Sequence, residues 1–280
     1  MPTFDTPDPI SATIEVAIGD VRITASARTD TIVDVRPSDG SHDLDVRAAE
    51  QTRVEFTAGR LLVKAPKQRG IGVFGKVGSI DVTVELPIGS SLQGDAAVGA
   101  FRSVGRLGDC RIKIATGDIQ LDETGAVDLT TVGTITVDQV TGHAEVRTGT
   151  GKMRLGRIDG TAVLKNANGD ILIGEVTGEL RANTSNGDIS VDSAAAGVNA
   201  NSANGDVRVT SVTRGSASLK TGNGEIEIGI RAGTAARLDV HTQFGRVRNE
   251  LAVTESPEPT DETVDVRART GFGDIVIRRS

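Results

Sequence analysis

A glycine followed by an alternating apolar run recurs along this chain at Gly117, Gly133, Gly151, Gly169, Gly187, Gly205 and Gly224, at spacings of about 16 to 19 residues. The clearest copies read NGDILIGEVTG from Asn168, NGDISVDSAAAG from Asn186, NGDVRVTSVTRG from Asn204 and NGEIEIGIRAG from Asn223. VGAFRS at Val98 precedes the series, FGRVRNEL at Phe244 and FGDIVIRRS at Phe272 follow it, and IGDVRITA at Ile18 reads as an early copy. Self-similarity at such a period means that one supersecondary unit is repeated, and that each unit buries its apolar face only against its neighbours.

Each unit holds two period-two runs, the mark of short strands whose alternate side chains face opposite ways. In the first run the inward pairs are Ile119/Leu121, Ile135/Val137, Met153/Leu155, Ile171/Ile173, Ile189/Val191, Val207/Val209 and Ile226/Ile228. In the second they are Val127/Leu129, Ala144/Val146, Ala162/Leu164, Leu180/Ala182, Val198/Ala200, Ala217/Leu219 and Leu238/Val240, with a small polar residue two positions on. Val140, Ile158, Val176 and Val212 recur between the runs as corner plugs. Stacked copies pair each strand with its equivalent in the next coil and bury continuous aliphatic rows. The predicted fold is therefore all-β, a single-stranded parallel β-helix or β-solenoid with coils of about 18 residues.

The absence of Trp and Tyr, with only six Phe, agrees with a lumen too thin for aromatic rings. From about Ala25 to Val63 the repeat gives way to TDTIVDVRPS, HDLDVRAAE, QTRVEFTAG and GRLLVKAP, read as strands of variable length. Residues 1–90 are thus expected to form a β-rich N-terminal cap that merges into solenoid repeats over 91–280. An uncovered coil end presents unpaired backbone, so a cap is physically needed. The acidic, Pro-rich stretch Ser256–Thr263 reads as an exposed loop.

Asn-Gly and Gly-Asp stand where each first strand begins, and Gly169, Gly187, Gly205 and Gly224 supply the turn conformation. In register, Asn168, Asn186, Asn204 and Asn223 stack as an amide ladder. Asp170, Asp188, Asp206 and Glu225 likewise form a carboxylate column, with strands about 4.8 Å apart. Two uses of that column are open: each carboxylate bonds its own turn amides, which the reading favours, or a hard cation such as calcium sits between them.

Chemistry beyond this is sparse. Gly70-Ile-Gly72-Val-Phe-Gly75-Lys76 matches a phosphate-loop pattern, but the strand-like SIDVTVELP follows it where a helix N-terminus is required, so no cofactor is expected. His42, His143 and His241 fall on different units, without a partner at metal-ligand spacing, and read as surface residues. Cys110, the only cysteine, reads as a buried thiol. No nucleophile elbow or carboxylate pair with a defined role is present, so no catalytic residue and no resident metal are assigned.

A formal charge of −7 argues against nucleic acid and anionic membrane as partners. No segment approaches about 18 consecutive apolar residues, and the N-terminus lacks a basic start with an apolar stretch, so a cytoplasmic protein without membrane insertion is expected. The NGDhxh units, LPIGSSL at Leu86 and the closing RTGFGDIVIRRS at Arg269 resemble a bacterial family of β-strand-repeat proteins of unknown function classed as candidate adhesins, its actinobacterial members above all. The resemblance spans essentially the whole chain and implies contact with other molecules, with no catalytic or ligand residues to carry over. The expected function is a non-enzymatic scaffold that binds a protein or its own copies. The alternatives are a carbohydrate-active β-helix enzyme and a calcium-stabilised surface adhesin.

Overall fold

The computed structural model describes residues 1–66, 78–251 and 262–280. The chain is a parallel β-solenoid: each coil gives one strand to each of two sheets. It divides into two compact units, residues 1–137 and 138–280, with strand Ile135–Thr141 spanning the boundary. Among the described residues no helix is long and apolar enough to cross a membrane.

In the second unit, one sheet runs Met153–Asp159, Ile171–Val176, Ile189–Ala194, Val207–Val212, Ile226–Ile230, Ile275–Arg279, Val247–Asn249. The other runs Ala144–Thr150, Ala162–Asn168, Leu180–Asn186, Val198–Asn204, Gly215–Asn223, Glu262–Phe272, Thr234–Phe244. Ile171, Ile189, Val207 and Ile226 lie in register as one row, and each is 0% exposed. Burying each such side chain stabilises the coil by ~1.5–3 kcal/mol, the main offset to ordering so much backbone. Leu180, Val198 and Ala217 form the facing row, with Val176, Ala194 and Val212 buried at the corner.

The expected row fails at one pair, since Leu238 and Val240 are only half-buried. The C-terminal strands Glu262–Phe272 and Ile275–Arg279 lie inside Thr234–Phe244 and Val247–Asn249, out of sequence order, so Leu238 and Val240 stand on an edge strand. The reason is compositional. At the register position where the C-terminal coil has Ile277, the other has Asn249, and a buried amide without a partner is costly. The more apolar coil takes the interior.

In the first unit, strands Ser11–Ile18 and Val21–Ser26 form a coil lying against both Ser91–Val98 with Phe101–Val104 and Arg60–Lys64 with Ile80–Pro87. Antiparallel strands flank this core: Thr3–Asp5 on Asp30–Pro37, the latter on Ile80–Pro87, and Arg53–Thr57 on Arg60–Lys64. Phe4 and Phe56, from the edge strands of the two sheets, stack with ring centroids 5.2 Å apart.

HDLDVRAAE, expected as a strand, is instead the helix Asp43–Glu50. Its Leu-Asp-Val alternation mimics a strand, but Ala48, Ala49 and Glu50 favour helix, and the buried residues Asp45 and Ala48 are spaced three apart on one face. Asp45 fixes the helix by accepting the N–H groups of Ser79 (2.9 Å) and Asp39 (3.2 Å), bonds that hold its carboxyl below the usual range.

Candidate functional site

Every feature singled out in the turns of the second unit is positioned by one local device. Gly187 has φ +137°, a conformation L side chains rarely adopt, and a Cβ there would stand 2.3 Å from the carbonyl oxygen of Gly169. That close approach keeps successive turns in register. Inside the turn, the small polar residues of the second run cap the glycine carbonyls. The hydroxyls of Thr184, Ser202, Thr221 and Thr270 donate to the carbonyls of Gly169, Gly187, Gly205 and Gly224 at 3.3, 3.0, 2.8 and 2.9 Å. These four residues are buried, and the bonds satisfy polar atoms that would otherwise be stranded next to the aliphatic rows.

Outside the turn, the amides of Asn186, Asn204 and Asn223 each donate to the preceding Asn carbonyl oxygen, Asn186 Nδ2 to Asn168 Oδ1 at 2.8 Å, Asn204 to Asn186 at 2.9 Å and Asn223 to Asn204 at 2.8 Å. The column does not end at Asn223. In register it passes to Phe272 and then Phe244, whose rings stack at 4.8 Å between centroids with planes 8° apart. Both rings are more than half exposed, Phe272 at 55% and Phe244 at 64%. The signal for this pair was the Phe-Gly dipeptide standing where the clearer copies have Asn-Gly.

The carboxylate column is used differently from the sequence expectation. Asp170, Asp188 and Asp206 do not bond their own turns; Oδ1 of each accepts the backbone N–H of the residue one coil on, from Asp188 at 3.3 Å, Asp206 at 2.8 Å and Glu225 at 2.8 Å. Asp20, Asp118 and Asp274 serve Ala100, Thr134 and Arg246 in the same way at 3.0, 2.8 and 2.9 Å. Lys152 lies 3.1 Å from Asp170, and this bond, with the Asp188 amide, holds the Asp170 carboxyl below the usual carboxylate range. Among the described residues no group of three or more His, Cys, Asp or Glu side chains is placed to hold a metal ion.

The three histidines are not brought together. His42 is 3.3 Å from Asp45, His143 bonds the Thr161 hydroxyl at 2.7 Å, and His241 is exposed on the edge strand Thr234–Phe244. The Gly70–Lys76 stretch lies outside the described residues, as does most of Ser256–Thr263.

In the first unit, a groove of about 620 Å3 is lined by Val16, Ala96 and Ile114 with Glu15, Asp95 and Lys113. Glu15 and Asp95 are register neighbours, Asp95 is the register neighbour of Lys113, and Glu15 is ion-paired with Lys64. Each carboxylate has a cation close by, and among the described residues no aromatic ring lines the groove.

Cys110 is buried, its thiol directed at the Gly108 carbonyl oxygen 3.4 Å away. Burial, with the neighbouring Asp109 charge, pushes the thiol up to about 12. The thiolate is the reactive form. A water-soluble thiol reagent at pH 8 is therefore expected to leave the native chain unlabelled and to label it fully in denaturant; rapid native labelling would show Cys110 to be accessible.

Among curated proteins none matches the chain. Three solved structures are similar along nearly their whole length. One is a candidate adhesin from Bacteroides fragilis, 17% identical, with 99% of this chain and 96% of that one covered and a TM-score of 0.40. The second is a candidate lipid-binding protein from Parabacteroides distasonis, 11% identical, with coverage of 99% and 95% and a TM-score of 0.45. The third is a candidate adhesin from Parabacteroides merdae, 12% identical, with coverage of 100% and 95% and a TM-score of 0.36. The Toastrack DUF4097 family model matches residues 57–277, most of the two units just described, and this chain is a member of that family.

Proposed function

We propose that the chain is a non-enzymatic, adhesin-like scaffold that engages a macromolecular partner through the outer faces of its coils. The observation that carries this reading is how the polar groups are spent. The turn carboxylates Asp170, Asp188 and Asp206 and the turn amides are committed to coil-to-coil hydrogen bonds, so they serve the architecture. What faces outward is a regular array of charged and amide side chains. Arg208 pairs with Glu227 at 2.6 Å, and Glu227 with Arg278 at 2.5 Å; on the other sheet Asn201 bonds Asn183 at 3.0 Å and Asn199 at 2.7 Å. Such a surface recognises by complementary charge and hydrogen bonding over area, not by enclosing a reacting bond.

The rival reading, a carbohydrate-active enzyme, would use the Glu15/Asp95 groove. The test is a polysaccharide panel assayed with the full chain, run beside proximity labelling in the native host. The expected outcome is no turnover and a labelled partner that is lost when Arg208→Glu and Arg278→Glu reverse the outer-face charge. Turnover abolished by Glu15→Gln or Asp95→Asn would replace the scaffold with an enzyme.

A further inference from the structure

We infer that the edge strand Thr234–Phe244 is an interface with a second copy of this chain, the two strands pairing antiparallel about a two-fold axis at Leu238. This sharpens the self-association expected of a scaffold and stands apart from any partner of the outer faces. Among the described residues, Thr234–Phe244 ends its sheet and pairs with a strand on one side only, Glu262–Phe272. Its inward side chains Ala236, Leu238 and Val240 continue the row whose members one coil earlier, Val264, Val266 and Ala268, are at most 1% exposed, yet they are themselves only half-buried. The row is cut open at this strand.

The backbone direction favours pairing at Leu238. Leu180, Val198, Ala217, Val266 and Leu238 are equivalent by register. Leu180 gives its N–H to the following coil, to the Gly197 carbonyl oxygen at 2.9 Å. The equivalent N–H of Leu238 is therefore directed away from its neighbour strand. An antiparallel pair centred there lets the two Leu238 residues exchange N–H and C=O bonds, as an edge strand is built to do.

Charge selects that register. With the axis at Leu238, Arg237 of each copy faces Asp239 of the other on the outer surface, so two opposite-charge pairs form. On the inner side Leu238 meets Leu238, and small Ala236 meets larger Val240. Moving one strand by two residues sets Arg237 against Arg237 or Asp239 against Asp239, and directly opposed like charges are destabilising. Odd shifts turn the apolar side chains outward. Asp239 already lies 3.3 Å from Arg269, which positions its carboxylate on that face, and Arg237 is exposed.

The test is sedimentation equilibrium of the full chain over a wide concentration range, with three variants whose substitutions lie on the exposed face. Wild type should form a dimer. Arg237→Asp and Asp239→Arg should each weaken it at least ~10-fold, and the double variant, which restores opposite charges in the same register, should recover most of the affinity. Circular dichroism confirms that each variant is folded. A wild-type chain that stays monomeric, a dimer indifferent to both single substitutions, or a double variant as weak as the singles would each overturn the interface.

Discussion

Replacing Gly187 with alanine should cost ~3 kcal/mol or more of folding stability, although it adds a single methyl group. Two penalties act together. At φ +137° an L side chain is strained, and the new Cβ would sit 2.3 Å from the Gly169 carbonyl oxygen, a backbone atom that cannot swing aside. Relief requires that the turn open, and opening it also disturbs the hydroxyl bond from Ser202 to the Gly187 carbonyl and the Asn186 amide bond to Asn168. The urea midpoint should fall sharply. Gly40→Ala is the matched control, since nothing lies within 4 Å of a Cβ built there, and its change should stay within ~0.5 kcal/mol. Equal effects at the two sites would mean that the turns are not in contact.

Ile189→Ala should destabilise by ~2–5 kcal/mol, because the side chain is 0% exposed and lies between Ile171 and Val207 in one continuous row. A thin lumen closes poorly over a missing branch, since its walls are backbone held by coil-to-coil bonds, so the upper half of that range is expected. Ser190→Ala, the next residue on the same strand, points outward and should change stability by less than ~0.5 kcal/mol. Unfolding followed by denaturant titration separates the two; similar losses would show that the strand is not alternating.

Much of this fold was legible because its physics is periodic. Two-residue alternation named the buried members of nearly every row, and the Asn-Gly repeat named the amide column, since equivalent positions in stacked coils must meet. Non-periodic features were harder to read. The helix Asp43–Glu50 hid behind alternating Leu44 and Val46, and the Ser79 bond to the Asp45 carboxylate that helps fix it comes from a residue 34 positions away. The reversed order of the last two coils follows from a competition between distant segments for one interior position. Its trace was Asn249 at an inward place, a clue visible only once both coils are set side by side. The carboxylates were recognised as a column that accepts turn amides, but the amides they accept belong to the next coil and not to their own turn. The Phe244–Phe272 pair was visible as a departure from Asn-Gly, without a signal that the two rings would touch.

The central claim is that equivalent residues of successive coils are lateral neighbours. Cysteine pairs report this directly, in a background in which Cys110→Ala removes the native thiol. Leu172 and Ser190 are register partners on adjacent strands, and Ser190 and Arg208 are partners in turn. At a strand spacing of about 4.8 Å, Leu172→Cys with Ser190→Cys falls within disulfide reach, whereas Leu172→Cys with Arg208→Cys is about twice as far and beyond it. Mild oxidation of the folded chain should therefore cross-link the first pair and leave the second reduced. A second pair that closes as readily as the first, or a first pair that stays open, would contradict the stacked-coil architecture.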